Sequence, residues 1–194
     1  PDSFSGDGLG GDVSAVVDQA LRFQEEGADI LDIGAESTRP GHEKISVEEE
    51  LARLMPTLEA VVRQVELPIS VDTYKAEVAK RAVDAGAVII NDIWGLKPGA
   101  ELAQVAAETG AGLVLMHNKK GTIYQNLLPD VVSSLQTSVG TALDAGVPKE
   151  NIVVDPGIGF GKTPDQNLEI LAGLDALKAA DCPIMGGTSR KSTL

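Results

Sequence analysis

A helical stretch that ends in glycine and leads into a short apolar run recurs four times along this chain, and this repetition restricts the fold more than any single motif does. Glycine is favoured after a helix because it adopts the left-handed conformation without a Cβ clash. The apolar runs are short and bounded, which is typical of parallel strands buried on both faces. Two further runs begin with proline, which is tolerated at the start of a strand. The predicted strands are 28–32, 68–72, 87–91, 111–117, 152–155 and 183–188.

The stretches around these runs are predicted to be helices. Ser46 and Glu49 form a capping-box pattern, in which Ser46 accepts from an early backbone N–H and Glu49 reaches back. Pro56 lies inside the same helix and should kink it or break its hydrogen-bond ladder. The regular alternation of strand and helix predicts a parallel α/β architecture. The predicted helices lie near 12–27, 46–65, 75–86, 99–110, 129–146 and 166–181.

Two parallel architectures fit this alternation, an open doubly wound sheet and a TIM (β/α)8 barrel. An open sheet concentrates its ligand groups at one switch point, and the dinucleotide fingerprint that would support it is missing. Polar residues follow nearly every predicted strand, which favours the barrel, whose site residues come from the ends of several strands. A whole barrel takes ~250 residues, so this chain should form one incomplete barrel domain over residues 1–194 with about six of the eight βα units.

Composition narrows the class of partner. The formal net charge of −13 argues against a general nucleic-acid-binding surface or an anionic membrane surface. It leaves room for an anionic small ligand, because a few local cations can dominate one pocket. Cys182 is the only cysteine, so no internal disulfide can form and a cytoplasmic protein is expected. No apolar run approaches the ~20 residues that a membrane-spanning helix needs.

A glycine-rich loop after the fifth predicted strand looks at first like a nucleotide-binding motif. The Walker A pattern would need glycine at Pro156, five residues before Gly161. The dinucleotide pattern would need glycine at Lys162, three residues after Gly159. Both patterns fail, so the loop is not predicted to cradle phosphate. Its main chemical group is Asp155, a carboxylate where the strand ends.

Polar residues at the ends of the predicted strands form a candidate site, because barrel strands direct their carboxyl ends into one cup. Carboxylates are rarely buried without partners, so several of them in register indicate a ligand site rather than a set of helix caps. Asp32 with Asp72 could bind a hard cation or read ligand N–H groups. Arg39 offers a planar fork suited to phosphate or carboxylate. The strand-end set is Asp32, Asp72, Asn91, Asp92, His117, Asp155 and 188–191.

Several blocks of the chain resemble the dihydropteroate synthases, a family of pterin-binding enzymes of the folate pathway. The blocks follow the order of the family over essentially the whole chain. Those that read STRPG and SRKS are highly specific. The matching blocks are 1–5, 32–41, 70–73, 91–93, the start of the Asp155 loop and 189–192.

The resemblance implies a transferase that condenses 7,8-dihydropterin-6-ylmethyl pyrophosphate with 4-aminobenzoate to give 7,8-dihydropteroate and pyrophosphate. It implies Mg²⁺ as a cofactor, a homodimer in the full-length protein, and a sulfonamide target. It also implies roles for single residues. Arg39 would bind the pyrophosphate, and Asp72, Asp155, Lys191 and Arg39 would form the catalytic set. The pterin would be held by Asp72, Asn91, Asp155 and Lys191. The 4-aminobenzoate pocket would be lined by Phe4, Thr38, Pro40, Phe160 and Ser192.

The chain also departs from the family pattern. The first strand of the family, with its asparagine near Mg²⁺, and the C-terminal βα elements, with an Arg-x-His anion clamp, are expected to be missing. The chain should therefore be truncated at both ends, lack its main metal ligand and be inactive alone. In the first loop, Asp7 lies one position later than the aspartate of the family pattern. Two alternatives stay open: a related methyltransferase of the methyltetrahydrofolate type, and an inactive pterin-binding fragment.

Overall fold

The structure, a computed structural model, describes residues 12–37 and 44–188. The chain divides into two units, residues 1–91 and 92–194. Helices alternate with strands along both units, and the strand pairs within each unit are parallel. The expectation of one domain over residues 1–194 stays a prediction.

The first unit is built on three strands with β2 in the middle. β1 pairs with β2 in a register that sets Asp32 opposite Ser70, and β2 pairs with β3 so that Asp72 lies opposite Asn91. The predicted strands 68–72 and 87–91 become β2 and β3 within a few residues of their predicted bounds. The predicted strand 28–32 becomes β1, which begins three residues later, so Asp32 lies inside the strand and not at its end. The elements are α1 (Val13–Glu25), β1 (Leu31–Gly34), α2 (Val47–Gln64), β2 (Ile69–Asp72), α3 (Ala76–Asp84) and β3 (Ile89–Asp92), which reaches the boundary of the unit.

Helix α2 begins with the predicted Ser46 cap, and the Glu49 side chain has a partner within the helix. The Ser46 hydroxyl accepts a hydrogen bond from the Glu49 backbone N–H at 3.1 Å. The Glu49 carboxylate pairs with Arg53 one turn further on. The helix continues through Pro56 to Gln64, and the predicted kink or break in the hydrogen-bond ladder at Pro56 stays a prediction. Packing of the buried face of α2 outweighs the loss of one backbone hydrogen bond.

The second unit repeats the alternation. β4 pairs with β5 in parallel, with Met116 opposite Asp155. Its elements are α4 (Glu101–Thr109), β4 (Gly112–Met116), α5 (Leu127–Asp144), a short 3₁₀ helix (Lys149–Asn151), β5 (Ile152–Asp155), α6 (Pro164–Ala172) and a second 3₁₀ helix (Leu174–Ala180).

The sixth predicted strand is reduced to a single contact. Ile184 forms one parallel bridge with Val154, supported by hydrogen bonds of Val154 with the backbone of Pro183 and Met185. The glycines that follow, Gly186 and Gly187, weaken a strand because they have no side chain to pack. The run 183–188 is therefore a bridge and not a full strand.

The sixth predicted helix is divided. The sequence predicts one helix over 166–181, whereas α6 ends at Ala172 and Gly173 separates it from a 3₁₀ helix. The core of each unit is aliphatic, as a chain with 3% aromatic residues requires. Among the described helices, none is long and apolar enough to cross a membrane. Fully buried core side chains include Leu54, Leu58 and Val61 in the first unit and Leu113, Leu115, Leu135, Ile152 and Ile170 in the second.

Candidate functional site

Four polar side chains share one face of the strands of the first unit. Side chains alternate between the two faces along a strand, so Asp32 shares a face with Gly34, and Ser70 with Asp72. A Cβ atom added to Gly34 would lie 3.2 Å from the Asp72 Cβ, which sets both positions on the same face. Asn91 lies opposite Asp72 in the next strand. Two predicted pterin contacts, Asp72 and Asn91, are therefore brought together, with Asp32 beside them.

Asp32 and Asn91 are joined across β2. Nδ2 of Asn91 donates to Oδ2 of Asp32 at 3.1 Å. Asp32 keeps exposed surface, yet the atoms crowded around its carboxyl group displace water. This desolvation raises the pKa of Asp32, and hydrogen bonds from Ser70 and Asn91 oppose the rise. The Asp32 carboxylate is thus engaged by two protein donors.

A buried cluster of charges lies beyond the ends of β1 and β2. Nζ of Lys75 lies 2.6 Å from Oε2 of Glu36 and 2.6 Å from Oε2 of Glu50. The exposed fractions of these side chains are 13% for Lys75, 6% for Glu36 and 1% for Glu50. Lys75 also donates to the carbonyl of Ile45 at 2.7 Å. Because Glu36 precedes residues 38–43 and Ile45 follows them, one ammonium group holds both flanks of the STRPG block.

The neighbours of Lys75 complete this cluster. The Thr73 hydroxyl donates to Glu50 at 2.8 Å, and the Tyr74 hydroxyl donates to Glu36 at 3.1 Å. Desolvation, reinforced by the charge of Glu36, raises the pKa of Tyr74 to about 12. Desolvation disfavours the charge of Lys75, but hydrogen bonds to Glu36 and Glu50 outweigh it and raise the pKa of Lys75. The ammonium group therefore stays charged between its two carboxylates.

In the second unit, Asp155 ends β5 and is 4% exposed. Its Oδ1 accepts a hydrogen bond from the Gly157 N–H at 2.7 Å, and its carbonyl accepts one from the His117 N–H at 2.8 Å. The bond to Gly157 fixes the orientation of the carboxylate at the strand end. This is the position from which the sequence predicts that Asp155 reads a pterin.

Lys162, which gave the loop its nucleotide-binding appearance, is turned into the protein. Its Nζ donates to the carbonyls of Gly157 and Phe160, both at 2.9 Å, and lies 3.1 Å from Nδ1 of His117. An ammonium group only donates, so Nδ1 accepts and the neutral ring carries its proton on Nε2. Desolvation, together with nearby lysines of which Lys162 contributes most, lowers the pKa of His117 to about 3.

The glycines of the same loop permit its close contact with the segment after β4. Gly157 has φ +71°, and a Cβ atom there would lie 2.0 Å from the carbonyl oxygen of His117. Gly161 has φ +58°, and its Cβ atom would lie 2.4 Å from the carbonyl oxygen of Lys119. Phe160 therefore lies on a loop that is fitted against the protein.

Thr163, the other residue of the apparent phosphate motif, caps helix α6. Its hydroxyl accepts from the Gln166 N–H at 3.3 Å, while the Gln166 side chain accepts from the Thr163 N–H at 2.9 Å. This reciprocal pair is a capping box. Gln166 also donates to the carbonyl of Thr122 at 2.9 Å. Lys162 and Thr163 thus bind other parts of the protein, whereas in a phosphate-binding motif the lysine and the hydroxyl residue would contact the ligand.

Asp92 belongs to the predicted strand-end set but shapes a turn. Its two carboxylate oxygens accept from the backbone N–H groups of Trp94 at 2.8 Å and of Leu96 at 2.6 Å. Burial raises its pKa, and these backbone donors oppose the rise. Asp92 is therefore a loop-forming residue.

The remaining predicted site residues lie outside the described residues, and their roles stay predictions. Within residues 12–37 and 44–188, no group of three or more His, Cys, Asp or Glu side chains is placed to hold a metal ion. The residues concerned are Phe4, Thr38, Arg39, Pro40, Lys191 and Ser192.

Sequence reasoning missed the two buried lysines. Lys75 follows the end of β2 by three residues, and Lys162 follows the end of β5 by seven, both in loops where a barrel gathers functional groups. Their position after strand ends was the available signal. What could not be read was that their partners, Glu50 and His117, lie 25 and 45 residues away in sequence.

Comparison with known proteins points to a single family. The family profile described as "Pterin binding enzyme" matches residues 1–194. The dihydropteroate synthase of Clostridium beijerinckii is 48% identical over 194 residues, which is 100% of this chain and 72% of that protein. A solved structure of Xanthomonas albilineans dihydropteroate synthase with 4-aminobenzoic acid has a TM-score of 0.91 and 40% identity, covering 99% of this chain and 71% of that one. A structure of the same enzyme with 7,8-dihydropteroate has a TM-score of 0.85 and 39% identity, covering 96% and 69%.

This likeness confirms the predicted fold class. The described residues supply five strands, which pair in parallel within each unit, and one bridge, where a complete TIM barrel has eight strands. The fold is an α/β barrel that is incomplete in this chain.

Proposed function

Because this chain belongs to the pterin-binding enzyme family, we infer that it has the function of a dihydropteroate synthase. The reaction is a transfer in folate biosynthesis that joins a dihydropterin, activated as its pyrophosphate, to 4-aminobenzoate. The observation that carries this conclusion is 48% identity to a dihydropteroate synthase over the whole chain. Solved relatives with 4-aminobenzoic acid and with 7,8-dihydropteroate supply the chemical class of substrate and product.

We propose that Asp155 is the main pterin contact. A pterin presents an amino group next to a ring N–H, and one carboxylate can accept both. The bond from Gly157 to Oδ1 holds the Asp155 carboxylate in a fixed orientation, which supports this role. Asp72 and Asn91 are proposed as further pterin contacts because they share one strand face. Lys191 is proposed to donate to the pterin carbonyl.

The other substrate groups are assigned by the resemblance. Arg39 is proposed to bind the pyrophosphate, since its planar fork makes paired hydrogen bonds to phosphate oxygens. Phe160 is proposed to line the 4-aminobenzoate pocket, and its fitted loop supports a fixed wall. The other proposed pocket residues are Phe4, Thr38, Pro40 and Ser192.

The reaction needs positioning and charge stabilisation more than a nucleophile from the protein. The aniline nitrogen of 4-aminobenzoate forms a bond to the pterin methylene carbon while the bond from that carbon to pyrophosphate breaks. The nitrogen then loses one proton to solvent, which its low basicity makes easy. Carboxylates beside the pterin stabilise positive charge that develops on the methylene group, and Arg39 would stabilise the departing pyrophosphate. These effects act through fixed groups that need little rearrangement.

Three finer statements stay proposals. Mg²⁺ would neutralise the pyrophosphate when bound, but the described carboxylates and histidines do not gather into a metal site, so no step is assigned through it. A homodimer is proposed from the resemblance, and a cytoplasmic location from the single cysteine, Cys182, which can form no internal disulfide. Sedimentation of the full-length protein at several concentrations would test the homodimer.

The function is tested by 4-aminobenzoate-dependent release of pyrophosphate in the full-length protein. In Asp155→Asn, the amide oxygen can keep the Gly157 bond while one carboxylate acceptor becomes a donor. We expect dihydropterin affinity to fall at least about 30-fold, as loss of a charged hydrogen bond predicts. Asp165→Asn makes the same change at an exposed position in α6 and should leave affinity unchanged. Release of pyrophosphate at the same rate with and without 4-aminobenzoate would argue against the function, and an unchanged affinity in Asp155→Asn would reject that residue's role.

A further inference from the structure

Asp32 has no part in the proposed reaction, yet it is bound to a proposed pterin contact. It lies on the same strand face as Asp72 and Asn91, and it accepts from Nδ2 of Asn91 at 3.1 Å. The hydrogen bond crosses β2 and joins residues 59 positions apart in sequence. This hydrogen bond bears on which end of the Asn91 carboxamide faces away from Asp32.

A carboxamide has two chemically different ends. Its oxygen only accepts hydrogen bonds, and its nitrogen only donates them. A half-turn of the group exchanges these ends with little change of shape, so the surroundings decide which end faces a ligand. An asparagine without a fixed neighbour could therefore recognise either a donor or an acceptor.

The surroundings of Asn91 are decided by Asp32. An ionised carboxylate accepts and cannot donate, so it draws the nitrogen end of Asn91 toward itself. Ser70 also donates to Asp32; desolvation raises the pKa of Asp32, and the hydrogen bonds from Ser70 and Asn91 oppose that rise. The oxygen end of Asn91 must then point away from Asp32.

We propose that Asp32 is a positioning residue that fixes the carboxamide of Asn91 with its oxygen as the acceptor for the ligand, so that Asn91 selects pterins that carry an N–H donor at that edge. This inference rests on the proposed function, because it takes Asn91 as a pterin contact. It assigns Asp32 to substrate specificity rather than to the chemical step.

The test measures discrimination rather than activity. Calorimetric titration of the full-length protein uses a 7,8-dihydropterin and a set of analogues that each lack one donor. In the deaza analogues a ring N–H is replaced by carbon, and in the deamino analogue the amino group is replaced by hydrogen. In the unaltered protein, the analogue that lacks the donor read by Asn91 should bind at least about fivefold more weakly than the parent pterin. In Asp32→Asn, whose amide can accept from or donate to Asn91, that ratio should fall below about twofold. The ratios for the other analogues should not change.

Two controls separate orientation from general damage. Asp29→Asn makes the same chemical change at an exposed position before β1 and should leave every ratio unchanged. Ser70→Ala removes the other donor to Asp32 while keeping the bond to Asn91, and it should also preserve the ratios. If every analogue weakened in parallel in Asp32→Asn, or if no ratio changed, the inference would be overturned.

A measurement on the unaltered protein covers the case in which Asp32→Asn fails to fold. By NMR, one of the two Nδ2 protons of Asn91 should exchange with solvent more slowly than the other, because Asp32 holds it. Equal, fast exchange of both protons would overturn the inference. If the unaltered protein bound no dihydropterin at all, the proposed function would fail and the inference with it. Binding with unaltered ratios in the variant would remove the inference alone.

Discussion

Lys75 is the residue on which the charge balance of its buried cluster in the first unit depends. Its ammonium group is shared by Glu36 and Glu50, which are 6% and 1% exposed. A buried carboxylate is tolerated when it is paired and hydrogen-bonded. Removal of the shared cation would leave the two carboxylates close together with no positive charge between them. Removal of Lys75 should therefore lower the free energy of unfolding by more than removal of one ordinary ion pair does.

We expect Lys75→Met to lower the free energy of unfolding by about 3–5 kcal/mol, the usual cost of removing one partner of a buried pair. Methionine keeps the length of the side chain, so the change is mainly one of charge. Urea unfolding at neutral pH measures it. Lys80→Met is the matched control, since Lys80 lies on α3, the helix that begins directly after Lys75. Its side chain is 54% exposed and pairs only at 3.7 Å with Asp84. It should change stability by less than about 0.5 kcal/mol, and equal losses in both variants would contradict the role of Lys75.

His117 should make stability sensitive to mild acid. Its pKa falls from the ordinary 6.5 to about 3 in the folded protein. Below pH 6.5 the unfolded chain therefore takes up a proton that the folded protein refuses until about pH 3. Stability is fully present above pH 6.5 and decreases as pH falls through this window, by about 2 kcal/mol between pH 7.5 and 5.0.

The variant His117→Asn isolates this effect, because it keeps an acceptor for Lys162 and removes the titration. Urea unfolding of both proteins at pH 7.5 and pH 5.0 is the measurement. The unaltered protein should lose about 2 kcal/mol more than the variant over this range. Parallel losses would show that other groups cause the pH dependence.

For single residues, the sequence predicted where the strand-end polar groups lie better than it predicted what each of them does. Asp72, Asn91 and Asp155 lie at strand ends as expected, because strand ends follow from local apolar patterns. Asp92 was not separable from them by pattern, although both its oxygens are bound by the following turn. The engagement of Asp32 by Asn91 depends on strand register, which no local pattern reveals.

Among the elements, the glycine-rich loop after β5 resembles a phosphate-binding motif in sequence, but its glycines allow close packing of the backbone. Gly157 and Gly161 both have positive φ and lie against backbone carbonyl oxygens of the segment after β4. Lys162 adds hydrogen bonds inside the same loop. The resemblance to a phosphate-binding loop therefore reflects close packing of two backbone segments.

Gly157→Ala should disturb this loop strongly. The new Cβ atom would lie 2.0 Å from the His117 carbonyl oxygen, at φ +71°, so the backbone must shift. We expect a loss of stability of about 2–4 kcal/mol, the sum of backbone strain and overpacking. The shift would also move the N–H that orients Asp155, so dihydropterin affinity should fall with stability. Urea unfolding and calorimetric titration measure the two effects.

Gly140→Ala is the opposite case at the same scale. Gly140 lies inside α5, and a Cβ atom there meets nothing within 4 Å. Alanine should raise stability by up to about 1 kcal/mol, because it favours the helix. If Gly157→Ala were as mild as Gly140→Ala, the close packing of the loop would be disproved.

The order of elements was predictable from the glycine-punctuated runs, whereas the last βα region was not. Five of the predicted strands are present, because each combines a buried apolar run with a helix on either side. The sixth has the same apolar start, but its glycines and its single bridge to Val154 leave it short. Whether such a run becomes a full strand depends on pairing with other strands, which is a tertiary property.

For the whole molecule, the strand count decides what the chain can do alone. A barrel closes only when every strand pairs on both sides, and a TIM barrel needs eight strands. Among the described strands, β1 pairs with β2 and with no other. The chain matches 72% of the length of its Clostridium beijerinckii relative. A site built from several strand ends depends on closure, because closure sets the distances among those ends.

We therefore expect the 194-residue polypeptide, produced alone, to release pyrophosphate at least about 100-fold more slowly than a full-length protein. A displacement of about 1 Å in the reacting groups is enough for such a loss, and an unclosed barrel cannot hold its strand ends to that tolerance. The measurement compares kcat/KM for 4-aminobenzoate-dependent pyrophosphate release in the two proteins at equal concentration. Urea unfolding of both, followed by circular dichroism, shows whether the shorter chain folds cooperatively. Cooperative unfolding together with pyrophosphate release near the full-length rate would show that five strands and one bridge are sufficient for the reaction.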